Sequence, residues 1–365
     1  MADARRIFEY PETFRMRRGG ELERPTIAYE TWGELSPSCD NAVLLFTGLS
    51  PSAHASSSPE DPAPGWWEEI LGPSRPIDSN RYFVICMNSL GSCFGSTGPA
   101  TTDPATGEPY RLTFPVVTLE DVASAGKALV SHLGIDRLEA VIGASMGGMT
   151  ALAFAMLFSG STRGLLLISS AMHSRPFAIA LRSLQREMIR RDPAWRDGSY
   201  PLGEGPVTGM RLARKLGMIT YRSALEWQHR FGRERVAEEH QSGDPFALEF
   251  EIESYLEAHA QKFIGQYDAN CYLYLSRAMD LFDVAEHRGT IAAGLATVDA
   301  ERAMIVGVTS DSLFPIEQQR HLADELKSVG VAVDYRELES IQGHDSFLVD
   351  MDRFRPTVQS FFSTE

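Results

Sequence analysis

Basic charge, cysteine and long apolar stretches are all scarce in this sequence. Lys and Arg total 34 against 49 Asp and Glu, a formal net charge of −15. Such an excess repels phosphate backbones and anionic lipid, and no basic run offsets it locally. Nucleic-acid and membrane-surface partners are therefore not expected. The chain of 365 residues has four cysteines, Cys39, Cys86, Cys93 and Cys271, with no C-x-x-C pair among them. They are too few for a disulfide scaffold and predict free thiols in a reducing, cytoplasmic setting. No run of about 18 apolar residues occurs, so no membrane span is expected. The opening MADARRIFEYPETFRMRRGG is charged and lacks the apolar core of a secretory signal. H-E-x-x-H, Cys/His clusters, G-x-G-x-x-G and the P-loop are missing too, so neither a metal centre nor a bound nucleotide cofactor is expected.

What is present is an alternation of strand-like and helix-like segments. Apolar runs of strand length cover Val43–Thr47, Tyr82–Met87, Leu138–Ile142, Gly164–Ile168, Ala303–Val308 and Val331–Leu338. Several are continuously apolar, as parallel strands covered on both faces require. Thr118-Leu-Glu-Asp121 opens a helix as a capping box variant, and apolar residues then recur every three or four positions until Gly134. Another helix is expected from near Pro315 to Gly330. This order predicts an α/β fold with a mostly parallel sheet. From Pro176 to Thr297 the strand pattern gives way to charged helical stretches, Ala178–Arg191, Gly209–Leu216 and Phe246–Ile264. We read one α/β core, residues 1–175 and 298–365, interrupted by a helical lid, residues 176–297.

Gly143-Ala-Ser145-Met-Gly147 follows the Leu138–Ile142 strand and precedes a helix expected over Met149–Phe158. A nucleophile on so sharp a turn needs small neighbours, because strand and helix approach closely there. The turn also aims the Met146 N–H and the helix dipole at the place where an oxyanion would form. Serine is a weak nucleophile without a base, itself oriented by an acid. Asp311 lies just beyond the Ala303–Val308 strand, and His344 in the loop after Val331–Leu338, in the acid-then-histidine order this architecture uses. Asp283 and Asp299 are rivals for the acid. The second oxyanion donor is expected from Leu49, in the loop after Val43–Thr47. His54 is kept as a pocket residue; His132, His173, His229, His240, His259, His287 and His321 read as ordinary surface or core histidines.

The stretches GASMGGM, TSDSLFP, GHDSFL and NSLGSCFGSTGPATTDPATGEPY resemble the amino-acid O-acyltransferases of the homoserine O-acetyltransferase group, over almost the whole length. Homoserine enzymes of that group usually carry an L-T-G-D-type oxyanion loop. Here it reads Thr47-Gly-Leu-Ser-Pro-Ser-Ala-His-Ala55, which, with Gly65-Trp-Trp-Glu68, is more similar to the serine O-succinyltransferase branch. The resemblance implies an α/β-hydrolase fold and ping-pong transfer from succinyl-CoA or acetyl-CoA to an amino-acid hydroxyl. The acyl group would travel on Ser145, with Asp311 and His344 completing the triad and Leu49 and Met146 forming the oxyanion hole. L-serine is the implied acceptor, with homoserine acylation, serine O-acetylation and ester hydrolysis as the alternatives. It also implies that Arg214 binds the acceptor's carboxylate and Asp345 its amino group, and that the enzyme is a homodimer joined through the lid. Ser52, Ala53, His54 and Ala55 are expected to select the acceptor, and Arg186 or Arg182 to read a succinyl carboxylate.

Overall fold

A computed structural model describes residues 3–237 and 244–363. Eight strands form one sheet: β1 (Arg6–Glu9), β2 (Thr26–Trp32), β3 (Ala42–Phe46), β4 (Phe83–Met87), β5 (Leu138–Ala144), β6 (Thr162–Ile168), β7 (Arg302–Val308) and β8 (Ala332–Leu338). Their spatial order is β1-β2-β4-β3-β5-β6-β7-β8. Only β2 runs against the rest, pairing antiparallel with β1 and β4. The sheet is thus mostly parallel, as the continuous apolar runs require. The apolar runs in the sequence predict neither β1 nor β2; β1 buries only Phe8 of its four residues, too little for a pattern to register.

Side chains of β3 show how the layers assemble. Ala42, Leu44 and Phe46 join the core on one face, and Val43 and Leu45 the core on the other, the two-residue alternation of a strand. The first face is covered by α1 (Leu119–His132), α2 (Met146–Leu157) and α8 (Ile316–Ser328). The second is covered by α9 (Met351–Ser363), through Phe354, Val358, Phe361 and Phe362.

At the start of α1 the Thr118 hydroxyl accepts from Asp121 N and the Asp121 carboxylate accepts from Thr118 N, a complete capping box. Helix α2 begins three residues earlier than expected, directly after Ser145, which makes Met146 its first residue. Pro315 precedes α8 rather than starting it, with an extended ψ of 148°.

Between β6 and β7 the described residues include the helices α3 (Pro176–Arg191), α4 (Val207–Tyr221), α5 (Ala224–Phe231), α6 (Glu251–Phe263) and α7 (Ala269–Leu281). These helices form a lid with its own small core around Ile189, Trp195, Met210 and Tyr267. Helix α4 is longer at both ends than expected, and α6 is shorter. The Glu253 carboxylate accepts from the Glu249 and Phe250 N–H groups and starts α6 there, leaving Phe246 outside and 94% exposed.

Candidate active site

Strands β3, β5, β7 and β8 end at the same edge of the sheet, and each delivers one element of the site there. Ser145 follows β5 with φ +56° and ψ −123°, a strained backbone for a residue with a side chain. The surrounding glycines explain how that turn is tolerated. A Cβ on Gly143 would lie 2.1 Å from the Gly147 backbone, and one on Gly147 would lie 2.3 Å from the Phe46 carbonyl oxygen. Neither position admits even alanine without moving backbone.

The Ser145 Oγ lies 2.8 Å from His344 Nε2, and His344 Nδ1 lies 2.7 Å from Asp311 Oδ2. Asp311 is itself held: its Oδ1 accepts from the Leu313 and Phe314 N–H groups at 2.9 Å each. One carboxylate oxygen is tied to the backbone, so the other is presented to the imidazole. The His344 ring stacks on Phe314, 5.1 Å between centroids, with the Phe347 edge against it. Burial pulls the His344 pKa down, but the charge and hydrogen bond of Asp311, joined by the Asp345 charge, outweigh it and raise the net value. Asp283 instead accepts from Ala285 N and does not reach the imidazole.

Leu49 and Met146 flank this relay. Among the described residues neither backbone N–H has an intramolecular acceptor, so both are available to a ligand. Leu49, Ser145 and His344 open into one cavity of about 1000 Å³, including its mouth, whose walls also include Trp66, Arg182, Arg214, Tyr221 and Asp345.

A family description, the α/β-hydrolase fold, matches residues 41–350. The serine O-succinyltransferase of Litchfieldella anticariensis is 59% identical over 364 residues, covering 100% of this chain and 99% of that protein. The chain belongs to the serine O-succinyltransferase family. A second member, from Frateuria aurantia, is 55% identical over 366 residues, with full coverage of both chains. Among solved structures, homoserine O-acetyltransferase from Bacillus anthracis superposes with a TM-score of 0.91 at 27% identity, covering 99% of this chain and 98% of that one. Esterase E22 follows at 0.88 and 28%, covering 98% and 99%. The family thus shares its framework with transferases and with a hydrolase, and the cavity must separate the two chemistries.

Its polar groups are distributed as follows. Arg214, on α4, lines the cavity with its guanidinium 4.7 Å above the Phe263 ring, and among the described residues its buried Nε has no hydrogen-bond partner. Asp345 faces it from the histidine loop, with Oδ2 3.4 Å from Arg222 Nε. Burial raises the Asp345 pKa, against the opposing charges of Arg222, His344 and Arg214. The lid is fastened to this loop: Arg222 Nη1 donates to Gln342 Oε1 at 2.8 Å, and the Ser223 hydroxyl donates to the Ile341 carbonyl.

Two expectations need correcting. Ser52, Ala53, His54 and Ala55 are not among the residues that line the cavity; Ser52 and His54 hold Trp66, which does, and Ala55 accepts from Trp67 N. The Trp66 indole donates to the Ser52 carbonyl at 3.1 Å, and Trp66 N to the His54 carbonyl at 3.3 Å. His54 is engaged outside the cavity, with Nδ1 2.8 Å from Glu30 Oε2 and Nε2 donating to the Ala63 carbonyl. Gly65 is required because a Cβ there would sit 2.2 Å from the Ala55 carbonyl carbon.

Arg186 also lies behind the cavity wall, where its Nη2 is 2.6 Å from Asp280 Oδ2. Arg182, one turn earlier on α3, is the lid arginine of this pair that reaches the cavity. It is 4% exposed, and among the described residues its Nη1 has no hydrogen-bond partner.

The sequence reading also missed Trp66 and Tyr221 as wall residues. The Gly65-Trp-Trp-Glu68 motif was a signal for the first; nothing local marked the second. His240 lies outside the described residues. Among the described residues no group of three or more His, Cys, Asp or Glu side chains is arranged to hold a metal ion.

Proposed function

We propose that this chain is an L-serine O-succinyltransferase working through a succinyl-enzyme. Ser145 Oγ attacks the thioester carbonyl of succinyl-CoA while His344 Nε2 takes its proton. Asp311 stabilises the imidazolium, and the oxyanion forms against the Leu49 and Met146 N–H groups. The C–S bond breaks, the thiolate leaves with the proton from His344, and Ser145 holds a succinyl ester. His344, neutral again, takes the proton of the L-serine hydroxyl as that oxygen attacks the ester carbonyl. Collapse returns the proton to Ser145 and releases O-succinyl-L-serine. The chemistry uses no resident cofactor; succinyl-CoA is a co-substrate.

The observation that carries this reading is the charge inventory of the cavity. In the second half-reaction it must hold one ammonium and two carboxylates at once: those of L-serine and the far end of the succinyl group. Asp345 suits the ammonium, Arg214 the serine carboxylate, and Arg182, backed by Arg186 through Asp280, the succinyl carboxylate. A simple ester hydrolase needs none of the three. Binding the acceptor in place also offsets competition from water at about 55 M. Ser52 and His54 then act on acceptor choice by setting Trp66.

A homodimer joined through the lid belongs to the same proposal. It is supported by large apolar side chains left exposed on α3 and α4, Phe177, Leu184, Val207, Leu212 and Ile219. Among the described residues no helix is long and apolar enough to cross a membrane, which accords with a cytoplasmic enzyme.

The test is thioester consumption by the purified protein with succinyl-CoA or acetyl-CoA, each against L-serine, L-homoserine and water. Succinyl-CoA with L-serine should be the fastest pair. A faster rate with homoserine would reassign the acceptor, and equal rates with and without an amino acid would make the protein a hydrolase.

A further inference from the structure

The stretch Asn88-Ser-Leu-Gly-Ser92 marks the family in sequence, yet none of its side chains enters the reaction above. It follows β4 and passes beneath the loop that carries Leu49. Asn88 is fully buried, Ser92 is 1% exposed, and Tyr267, from the segment between α6 and α7 of the lid, is 5% exposed. Their polar groups form a directed series. Asn88 Nδ2 donates to the Pro51 carbonyl at 3.4 Å and to Ser92 Oγ at 3.3 Å. Ser92 Oγ is 3.4 Å from the Tyr267 hydroxyl, which donates to the Leu49 carbonyl at 2.9 Å. With the Tyr267 proton committed to Leu49, the Ser92 hydroxyl is the donor in the middle contact.

We infer that Asn88, Ser92 and Tyr267 clamp the oxyanion loop, that Tyr267 is a positioning residue for acyl transfer, and that the lid thereby completes the oxyanion hole. The inference rests on the acyl-enzyme reading above. Its physical basis is the freedom of Gly48. The donor N–H of Leu49 belongs to the peptide joining Gly48 to Leu49, and glycine allows that plane to rotate where another residue would resist. A Cβ built on Gly48 would meet only Pro51 Cδ, at 3.8 Å, so close packing at that Cα does not hold the loop. Tying down the carbonyls of Leu49 and Pro51 holds the chain just beyond the free plane and so restrains the N–H on the cavity that Leu49 shares with Ser145. A donor fixed before the oxyanion develops needs no reorganisation during the reaction, which is where its catalytic value lies.

The clamp also touches the acceptor end of the cavity. The Tyr267 ring lies nearly parallel to Phe263 at 6.2 Å, and the Arg214 guanidinium lies 4.7 Å over the same Phe263 ring. Burial pushes the Tyr267 pKa well above its ordinary value, so the phenol keeps its proton at any working pH.

The experiment compares Tyr267→Phe, Ser92→Ala and Tyr274→Phe in the full chain. Tyr274 also donates from the lid to the core, to the Phe114 carbonyl at 2.7 Å, without reaching the loop. Single-turnover loss of the succinyl-CoA thioester absorbance reports acylation, and steady-state kinetics report KM for L-serine. Tyr267→Phe should slow acylation about 10- to 100-fold with KM changed less than about 3-fold, Ser92→Ala should slow it less, and Tyr274→Phe should leave it unchanged. Ser145→Ala should show no burst at all; a burst there would overturn the acyl-enzyme reading. A burst within about 2-fold of the parent in Tyr267→Phe, or equal slowing in Tyr274→Phe, would overturn the clamp alone. If Tyr267→Phe does not fold, normal acylation in Ser92→Ala does the same.

Discussion

Arg182 and Arg186 converge on a single carboxylate. Arg182 Nε lies 2.7 Å from Asp280 Oδ1, and Arg186 Nη2 lies 2.6 Å from Oδ2 of the same side chain. Two guanidinium groups against one carboxylate leave a net positive charge beside the cavity that Arg182 lines, and among the described residues its Nη1 has no hydrogen-bond partner. Arg182→Leu should therefore lower kcat/KM for succinyl-CoA about 10- to 100-fold, the range of a lost charge-assisted contact, and that for acetyl-CoA far less. Taking the ratio of the two donors in one variant cancels any general loss of folding; an unchanged ratio would remove Arg182 from donor selection.

Ser145→Ala should abolish turnover, with a loss of at least about 10⁴-fold, while leaving the far-ultraviolet circular dichroism unchanged. Intact-protein mass spectrometry after mixing with succinyl-CoA should show one succinyl adduct on the parent chain and none on this variant.

Arg214→Leu should affect the second half-reaction and spare the first. The acylation burst should stay near the parent rate, while KM for L-serine rises about 10-fold or more. A slowed burst with an unchanged KM would place the guanidinium at the donor instead.

The acid limb of the rate profile should report His344. The imidazole must be neutral to accept the proton, so acylation rises with pH through its pKa. Burial lowers that pKa, but Asp311 and then Asp345 outweigh it, and the midpoint should lie above 6.5. Asp345→Asn removes one upward contribution and should move the midpoint of acylation to lower pH. A shift in the opposite direction would contradict this electrostatic account.

Glu68 should make the loop that holds Trp66 sensitive to acid. Burial raises its pKa, but the Ser57 and Gly65 N–H groups and the Ser57 and Ser56 hydroxyls favour the carboxylate, and the net value falls to about 2. A pKa depressed on folding contributes stability that is complete above about 4.5, the ordinary value, and is lost as pH falls towards 2. Glu68→Gln should cost about 1–3 kcal/mol at neutral pH and flatten the loss of stability across that window, as read by denaturant titration.

The elbow at Ser145 was legible because its residue spacing is local. Gly143 is demanded by the Gly147 backbone four residues on, whereas Gly147 is demanded by the Phe46 backbone of β3, and apolar β5 before them declares the strand. Asp311 and His344 were found by where their strands stop. Strand β2 escaped notice since its antiparallel pairing depends on partners elsewhere in the chain. Helix α6 was drawn too long because its apolar spacing continues backwards past Phe250, whereas the hydrogen bonds to Glu253 end it.

Arg182 and Arg186 mark the limit most clearly. They lie four residues apart, on one face of one helix, and periodicity places them alike. Which guanidinium reaches the cavity depends on where α3 crosses the sheet edge and on Asp280, which comes from α7. Ser52 to Ala55 show the same limit: adjacency in sequence put them beside the oxyanion loop, but they lie outside the cavity lining, where Ser52 and His54 bond to Trp66.

The sequence alone determined the succession of strands and helices along the chain, the elbow motif and the identity of its nucleophile, because each follows from apolar periodicity and from small residues at fixed spacing around one serine. The tertiary structure alone decided the charge pattern of the cavity and the clamp on Leu49. Those are sums over side chains from separate elements, and their energies depend on distance and burial, which no spacing along the chain encodes.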